Sequence, residues 1–105
     1  MNINYHVLKL IESNPEMTQR ELASELDVSL GKVNYCLKAM VEKGWIKVQN
    51  FKKSNNKLAY LYLLTPKGIE QKASVTVNFL KRKITEYETL EKEIKDLKAE
   101  VEGTK

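Results

Sequence analysis

The chain has 105 residues, of which 30% are charged and 42% hydrophobic, and its formal net charge at pH 7 is +4. This length suits one small domain with an extension, and the modest core makes dimerisation an expected source of further burial. The sequence has no N-terminal run of the signal-peptide type and no apolar stretch near the ~18 residues of a membrane span, so we expect a cytoplasmic protein. A single cysteine, Cys36, excludes an internal disulfide and a multi-cysteine metal site.

Charge is distributed unevenly along the chain. Residues 28–57 carry seven lysines against Glu42 alone, and residues 58–83 carry five cations against one anion. Residues 1–27 and 84–105 are both net acidic. A basic middle between acidic ends is typical of a protein that binds a polyanion, although a merely soluble basic surface is the alternative interpretation.

Residues 3–13 predict an amphipathic helix, which Asn14 and Pro15 end. His6 is the only histidine of the chain, and no cysteine lies near it in sequence. We therefore expect His6 to have a surface or packing role rather than a metal-binding or catalytic one. The side chains of this helix that can face a core are Tyr5, Val7, Leu8, Leu10 and Ile11.

Residues 17–44 predict two short helices joined by a tight turn. Thr18 and Glu21 fit a capping box at the start of the first helix, and Ser29 caps the second helix. Only two residues are left for the turn, which is the length that a helix-turn-helix requires. Asp27 stands where such a turn often carries glycine, and aspartate tolerates the left-handed conformation better than most residues.

The second helix has two different faces. Val33, Leu37 and Met40 recur at helical spacing and should point inward, with Cys36 beside them as a small buried side chain. Gly44 ends the helix as its C-cap residue. The opposite face carries small, hydrogen-bonding or cationic residues, as a helix in a DNA major groove requires. A solvated polar face is the alternative, and the residues concerned are Ser29, Gly31, Lys32, Asn34, Tyr35 and Lys38.

Residues 45–51 and 58–64 alternate in character and are predicted to form two strands of a β-hairpin. Serine and two asparagines between them supply turn chemistry. Lysines beside a groove-bound helix can neutralise phosphates or reach a minor groove, which would make this hairpin a basic wing. An ordinary solubilised hairpin tip is the alternative; its residues are Lys52, Lys53, Ser54, Asn55, Asn56 and Lys57.

The last element is predicted to be a helix of more than 30 residues that Thr65 caps and Pro66 begins. Its apolar positions are separated by steps of 3, 4, 3, 3, 4, 3 and 4, a heptad seam with one three-residue slip. Such a seam needs a partner, and a coiled-coil homodimer is favoured over a helix that folds back on its own domain. The seam consists of Val77, Leu80, Ile84, Tyr87, Leu90, Ile94, Leu97 and Val101.

Three short motifs accompany this order of elements: SLGKVN at 29–34, VEKGWI at 41–46 and LTPKG at 64–68. With them the chain resembles the winged-helix repressors of the MarR type over nearly its whole length. The order of elements and the tail most resemble the small exopolysaccharide-associated subgroup of that family.

The resemblance implies a regulator that binds operator DNA as a homodimer. It would place Ser29, Gly31, Lys32, Asn34 and Tyr35 in the major groove. It would place Lys52, Lys53, Asn55 and Asn56 on the wing, and Thr18, Gln19 and Arg20 against phosphates. Larger members of the family hold a phenolic ligand between their dimer and DNA-binding domains. Since this chain has a short N-terminal helix and one C-terminal helix, a small-molecule effector is left open.

Together these features predict a mainly α fold with a small β-hairpin. The expected divisions are a winged helix-turn-helix DNA-binding domain at 1–65, a long dimerisation helix at 66–102 and a frayed tail at 103–105. The expected function is a dimeric, sequence-specific transcriptional regulator, with a repressor favoured. Residues 29–43 would then enter the major groove of double-stranded DNA, and residues 52–57 would lie on the flanking backbone or in the minor groove.

A function of a different class stays open, because fold does not fix function. A winged helix with a coiled-coil tail also suits a protein-interaction module or adaptor. Catalysis is not expected, since the sequence has no acid–base constellation around a nucleophile, no phosphate-binding glycine loop and no metal-ligand cluster. Neither a metal, a cofactor nor a membrane is an expected partner.

Overall fold

The structure is a computed structural model that describes residues 2–52 and 58–103, with the backbone alone for Leu58. It confirms a mainly α fold with one antiparallel hairpin. The elements in chain order are α1 (Ile3–Ser13), α2 (Gln19–Leu26), α3 (Leu30–Glu42), β1 (Ile46–Lys52), β2 (Leu58–Leu64) and α4 (Pro66–Gly103). The chain divides into two compact units, the first ending at Val75 and the second beginning at Thr76, within α4.

The turn between α2 and α3 is built as its sequence predicts. The backbone N–H of Glu21 donates to Thr18 Oγ1 over 3.1 Å, and the Thr18 hydroxyl donates to a carboxylate oxygen of Glu21 over 3.1 Å. The N–H of Lys32 donates to Ser29 Oγ over 3.1 Å, which confirms the second cap. Asp27 closes α2 in the left-handed conformation with φ 54°. Two satisfied caps and a left-handed residue therefore fix the angle between the helices.

The end of α3 differs slightly from the prediction. Lys43 is the C-cap residue and keeps a right-handed helical conformation. Gly44 follows it with φ +76°, so the left-handed residue lies one position beyond the cap. This is where glycine is most useful at a helix end, because a side chain would be strained there.

The core of the first unit lies between the three short helices and the base of the hairpin. Tyr5, which we expected to face this core, is only half-buried. Its ring contacts the ring of His6 edge to face, with centroids 5.2 Å apart, and the Lys9 ammonium lies 5.8 Å from its centroid. The buried cluster consists of Val7, Leu8, Ile11, Leu22, Ala23, Val33, Leu37, Met40, Ile46 and Tyr62.

The hairpin is packed at its base and exposed further out. The register runs from the pair Ile46–Leu64 to the pair Lys52–Leu58, and paired residues share a face of the ribbon. On one face, Tyr62 is 7% exposed, whereas Tyr60 two residues away is 56% exposed. The hairpin thus leaves the core as it approaches its tip. Both predicted strands are confirmed to within one residue, and residues 53–57 of the predicted tip lie outside the described residues.

The LTPKG motif joins the base of the hairpin to the end of α3. Thr65 Oγ1 donates to the Gly44 carbonyl and accepts the N–H of Gly68 over 3.0 Å, so it caps α4 as predicted. The Thr65 N–H donates to the Trp45 carbonyl over 3.0 Å. A Cβ at Gly68 would overlap this same carbonyl, which explains why glycine occupies the position.

The second unit is the remainder of α4, whose apolar seam is exposed along its length. The helix includes Gly103, from which the sequence had predicted fraying, and residues 104 and 105 lie outside the described range. Among the described residues, no helix is both long enough and apolar enough to cross a membrane.

Candidate nucleic-acid interface

Helix α3 presents a polar face to solvent because its other face is anchored in the core. Val33, Leu37 and Met40 are almost fully enclosed, and Cys36 beside them is 9% exposed. On the opposite side Tyr35 is 75% exposed, a large fraction for an aromatic side chain. The other exposed residues of the predicted polar face of α3 are Ser29, Gly31, Lys32 and Lys38.

Asn34 was predicted to lie in the major groove and Gln19 to contact phosphate. The side chains of these two residues are hydrogen-bonded to each other. The Asn34 side-chain amide donates to Gln19 Oε1 over 3.1 Å, and Gln19 Nε2 donates to the hydroxyl of Tyr62 over 3.2 Å. Both residues are half-buried, so their amides are less accessible to solvent than the exposed side chains of α3. Each amide keeps further hydrogen-bonding capacity, since a carboxamide has two donor hydrogens and two acceptor lone pairs.

The start of α2 supplies the rest of the predicted phosphate contacts. Arg20 is exposed and is the second residue of α2. Thr18 is exposed as well, but its hydroxyl already accepts from the Glu21 N–H and donates to the Glu21 carboxylate. The structure therefore leaves Arg20 as the cationic group at a helix end where the backbone dipole also favours anions.

The basic wing is described only up to its first lysine. Lys52 is exposed at the end of β1. The remaining residues predicted for the wing lie outside the described part of the chain; they are Lys53, Asn55, Asn56 and Lys57.

Among residues 2–52 and 58–103, the lysines of α3 and β1 form no ion pair with a carboxylate. The ion pairs found within residues 2–52 and 58–103 join Lys72 to Glu12 and Lys83 to Glu86. The ammonium of Lys43 lies 4.8 Å from the centroid of the Trp45 ring, a cation–π contact that leaves its charge in place. The exposed cations of this region are Lys32, Lys38, Lys43, Lys47 and Lys52.

A groove of about 610 Å³ separates α3 from the hairpin. Its walls include Val48 and Tyr60, neither of which was predicted as a site residue from the sequence, together with Lys38 and Asn34. The signal for Tyr60 was available in the alternation of β2, because Tyr60 and Tyr62 lie on the same face. What the alternation could not show is that this face leaves the core between the two tyrosines.

No group of three or more histidine, cysteine, aspartate or glutamate side chains among the described residues could hold a metal ion.

The family model that matches the sequence is described as winged helix-turn-helix DNA-binding, and the match covers residues 2–47. The first unit contains a winged helix-turn-helix domain. The match includes α1, the helix-turn-helix and the start of β1, and the hairpin that follows supplies the wing. A comparison of the sequence with curated proteins found no match.

Solved structures share the winged helix-turn-helix fold. A MarR/EmrR family regulator from Acinetobacter is 20% identical with a TM-score of 0.59, and the match covers 78% of this chain and 56% of that one. A mutant of MepR from S. aureus, bound to an oligodeoxyribonucleotide, is 21% identical with a TM-score of 0.59 and coverages of 81% and 62%. A PadR-like regulator from Bacillus cereus is 26% identical with a TM-score of 0.59 and coverages of 74% and 89%.

These likenesses establish a shared winged helix-turn-helix fold at low sequence identity. The chain spans less than two thirds of the Acinetobacter and S. aureus proteins, at 56% and 62% of their lengths.

Proposed function

We propose that this protein is a DNA-binding transcriptional regulator related to the MarR family, and that it binds operator DNA as a homodimer. The observation that carries the proposal is the solvent-facing side of α3, where Tyr35 and Lys32 stand on a helix whose other side is locked in the core. A helix that reads bases needs this combination of exposed polar groups and a fixed position.

Charge supports the same function. The exposed lysines of α3 and β1 are free of carboxylate partners within the described residues, so they are available for phosphates. Phosphate contacts would position the domain, and the side chains of α3 would specify the sequence. On this proposal Ser29, Gly31 and Tyr35 enter the major groove, while Arg20 and Lys52 meet the backbone.

The homodimer rests on the exposed seam of α4. Eight apolar side chains from Val77 to Val101 are exposed in the single chain. A contiguous apolar stripe of this length marks an interaction surface. A second copy would also supply the two-fold symmetry that operator half-sites mirror. The regulator would act as a repressor in the cytoplasm, and the exopolysaccharide-associated subgroup stays a prediction from the order of elements.

The decisive experiment is selection of bound sequences from a random duplex-DNA pool by the purified protein at near-physiological salt. An enriched inverted repeat is expected, because each protomer would read one half-site. A protein that retains DNA only at low salt and enriches no motif would contradict sequence-specific regulation. That result would favour a protein-interaction module, for which the exposed seam would be the docking surface.

A further inference from the structure

The apolar seam of α4 is symmetric about Tyr87. Steps of 3, 4 and 3 residues lead away from Tyr87 in both directions, through Ile84, Leu80 and Val77 on one side and Leu90, Ile94 and Leu97 on the other. The three-residue slip, which interrupts the heptad, lies at the centre of this pattern. A chain that meets a copy of itself running in the opposite direction would therefore find an apolar partner at every one of these levels.

We propose that α4 pairs with a second copy of this chain as an antiparallel coiled coil, with the two-fold axis at Tyr87. The inference rests on the homodimer of the proposed function and adds its direction and register. Val77 would then meet Leu97 of the partner subunit, and Leu80 would meet the partner's Ile94. Tyr87, which is 64% exposed in the single chain, would pack against the partner's Tyr87.

The net charges of the two halves of the seam favour the antiparallel direction. Residues 77–86 carry Lys81, Arg82 and Lys83 against Glu86, a net charge of +2. Residues 88–97 carry four carboxylates against two lysines, a net charge of −2. In the antiparallel pair each positive half lies along a negative half. A parallel pair would place like halves side by side, which costs free energy.

Individual positions beside the seam fit the same arrangement. Antiparallel coils bring e positions together and g positions together, which places Lys81 near Glu91 of the partner subunit and Lys83 near the partner's Glu93. A parallel coil offers two attractive contacts as well, from Lys83 to the partner's Glu88 and from Glu93 to the partner's Lys98. The flanking contacts are thus compatible with both directions, and the opposite charges of the two halves favour the antiparallel one.

The existing ion pair of Lys83 does not prevent this pairing. Lys83 Nζ lies 3.1 Å from a carboxylate oxygen of Glu86 within the same helix, and both side chains are more than half exposed. Exposed pairs at this spacing contribute little to stability. Lys83 can therefore exchange Glu86 for a partner's carboxylate at small cost.

The proposed register fixes the distance between the two copies of Thr76 in the dimer. Thr76 lies eleven residues from Tyr87, so the two copies of Thr76 would be separated by about 33 Å along the coil, at 1.5 Å per residue. In a parallel coil the same two residues would lie about 10 Å apart, the usual spacing of packed helices.

Cysteine cross-linking of the full-length chain tests the direction. The variants Leu80→Cys and Ile94→Cys, each in a Cys36→Ala background, are oxidised separately and as a mixture. Both positions are exposed in the single chain, so the substitutions leave the fold of the first unit intact. In the antiparallel register the two copies of residue 80 are about 21 Å apart along the coil, too far for a disulfide. We expect the mixture to yield at least ten times more disulfide dimer than either variant alone.

A second measurement does not depend on disulfide formation. Spin labels at Ala99→Cys, on the outer side of the helix, should lie about 36 Å apart along an antiparallel coil, and about 20 Å apart in a parallel one. Disulfide dimers from each variant alone, or a label distance near the shorter value, would establish a parallel coil and overturn the inference. A monomer in both measurements would overturn it as well.

These outcomes are separable from the fate of the DNA-binding proposal, since they are obtained without DNA. If the coil is parallel and the protein still selects an inverted repeat, the antiparallel pairing is wrong and the proposed DNA-binding function stands. Disulfide dimers in the mixture alone, from a protein that enriches no DNA motif, would support the antiparallel coil and remove the regulator.

Discussion

The side-chain amide of Asn34 in α3 donates a hydrogen bond of 3.1 Å to Gln19 Oε1 in the first turn of α2. Gln19 Nε2 in turn donates a hydrogen bond of 3.2 Å to the hydroxyl of Tyr62 in β2. Three elements on the proposed DNA side are thereby held together by one chain of polar side chains. Groups that are fixed before a ligand arrives lose less conformational entropy on binding, so this link should favour tight DNA binding.

The variant Tyr62→Phe tests the link without removing a proposed DNA contact. Loss of the hydroxyl leaves Gln19 Nε2 without its partner while the aromatic ring still fills the core. We expect the free energy of unfolding to fall by about 1 kcal/mol, measured by chemical denaturation. The matched control is Tyr60→Phe, whose ring is largely exposed and which should stay within about 0.5 kcal/mol. Equal stabilities of the two variants would contradict the role assigned to the link.

Tyr35 is expected to affect base preference rather than stability. The variant Tyr35→Ala removes an exposed side chain, so the free energy of unfolding should change by less than about 0.5 kcal/mol. Discrimination between the selected operator and a single-base variant should fall by about 1–3 kcal/mol, measured by fluorescence anisotropy at fixed salt. A uniform loss of affinity on all sequences would instead assign Tyr35 to the backbone.

Lys53 on the proposed wing should act through phosphates. The variant Lys53→Ala is expected to weaken binding on all sequences and to reduce the slope of log affinity against log salt by about 1. Lys95→Ala is the matched control, because it removes the same charge from the exposed surface of the second unit. A change in base preference with an unaltered salt slope for Lys53→Ala would show that the division between reading and positioning groups is wrong.

Gly68 should be among the most sensitive positions of the first unit. A methyl group there would overlap the carbonyl of Trp45, which is backbone and cannot rotate away. We expect Gly68→Ala to lower the free energy of unfolding by about 3 kcal/mol, at the upper end for overpacked sites. In Gly31→Ala the new methyl meets no atom within 4 Å. This control should be neutral or stabilising by up to about 1 kcal/mol, because alanine favours helix.

Local patterns were sufficient to predict most of the fold. The two caps at Thr18 and Ser29, the left-handed Asp27 and the start of α4 at Pro66 all depend on residues within a few positions of one another. The periods of the helices and strands located the elements to within one or two residues. Tyr5 was the exception in the core, because helical spacing alone did not decide between it and its neighbour Val7.

The candidate site was predictable in composition and less so in contacts. The exposed side of α3 follows from the position of its apolar residues. The bond between Gln19 and Tyr62 joins residues 43 positions apart, and no sequence pattern relates them. The exposure of Tyr60 similarly depends on where the hairpin leaves the core. Such relations arise from tertiary packing, which periodicity does not encode.

The buried side of α3 also carries the only thiol of the chain, at Cys36. Because Cys36 is only 9% exposed, opening of α3 away from the core should raise its rate of alkylation, so that rate reports the frequency of local opening. The alkylation rate of Cys36 in the wild-type protein is therefore a measure of how often the proposed recognition helix opens. With operator DNA bound across α3, the alkylation rate of Cys36 should fall in proportion to the fraction of protein in the complex.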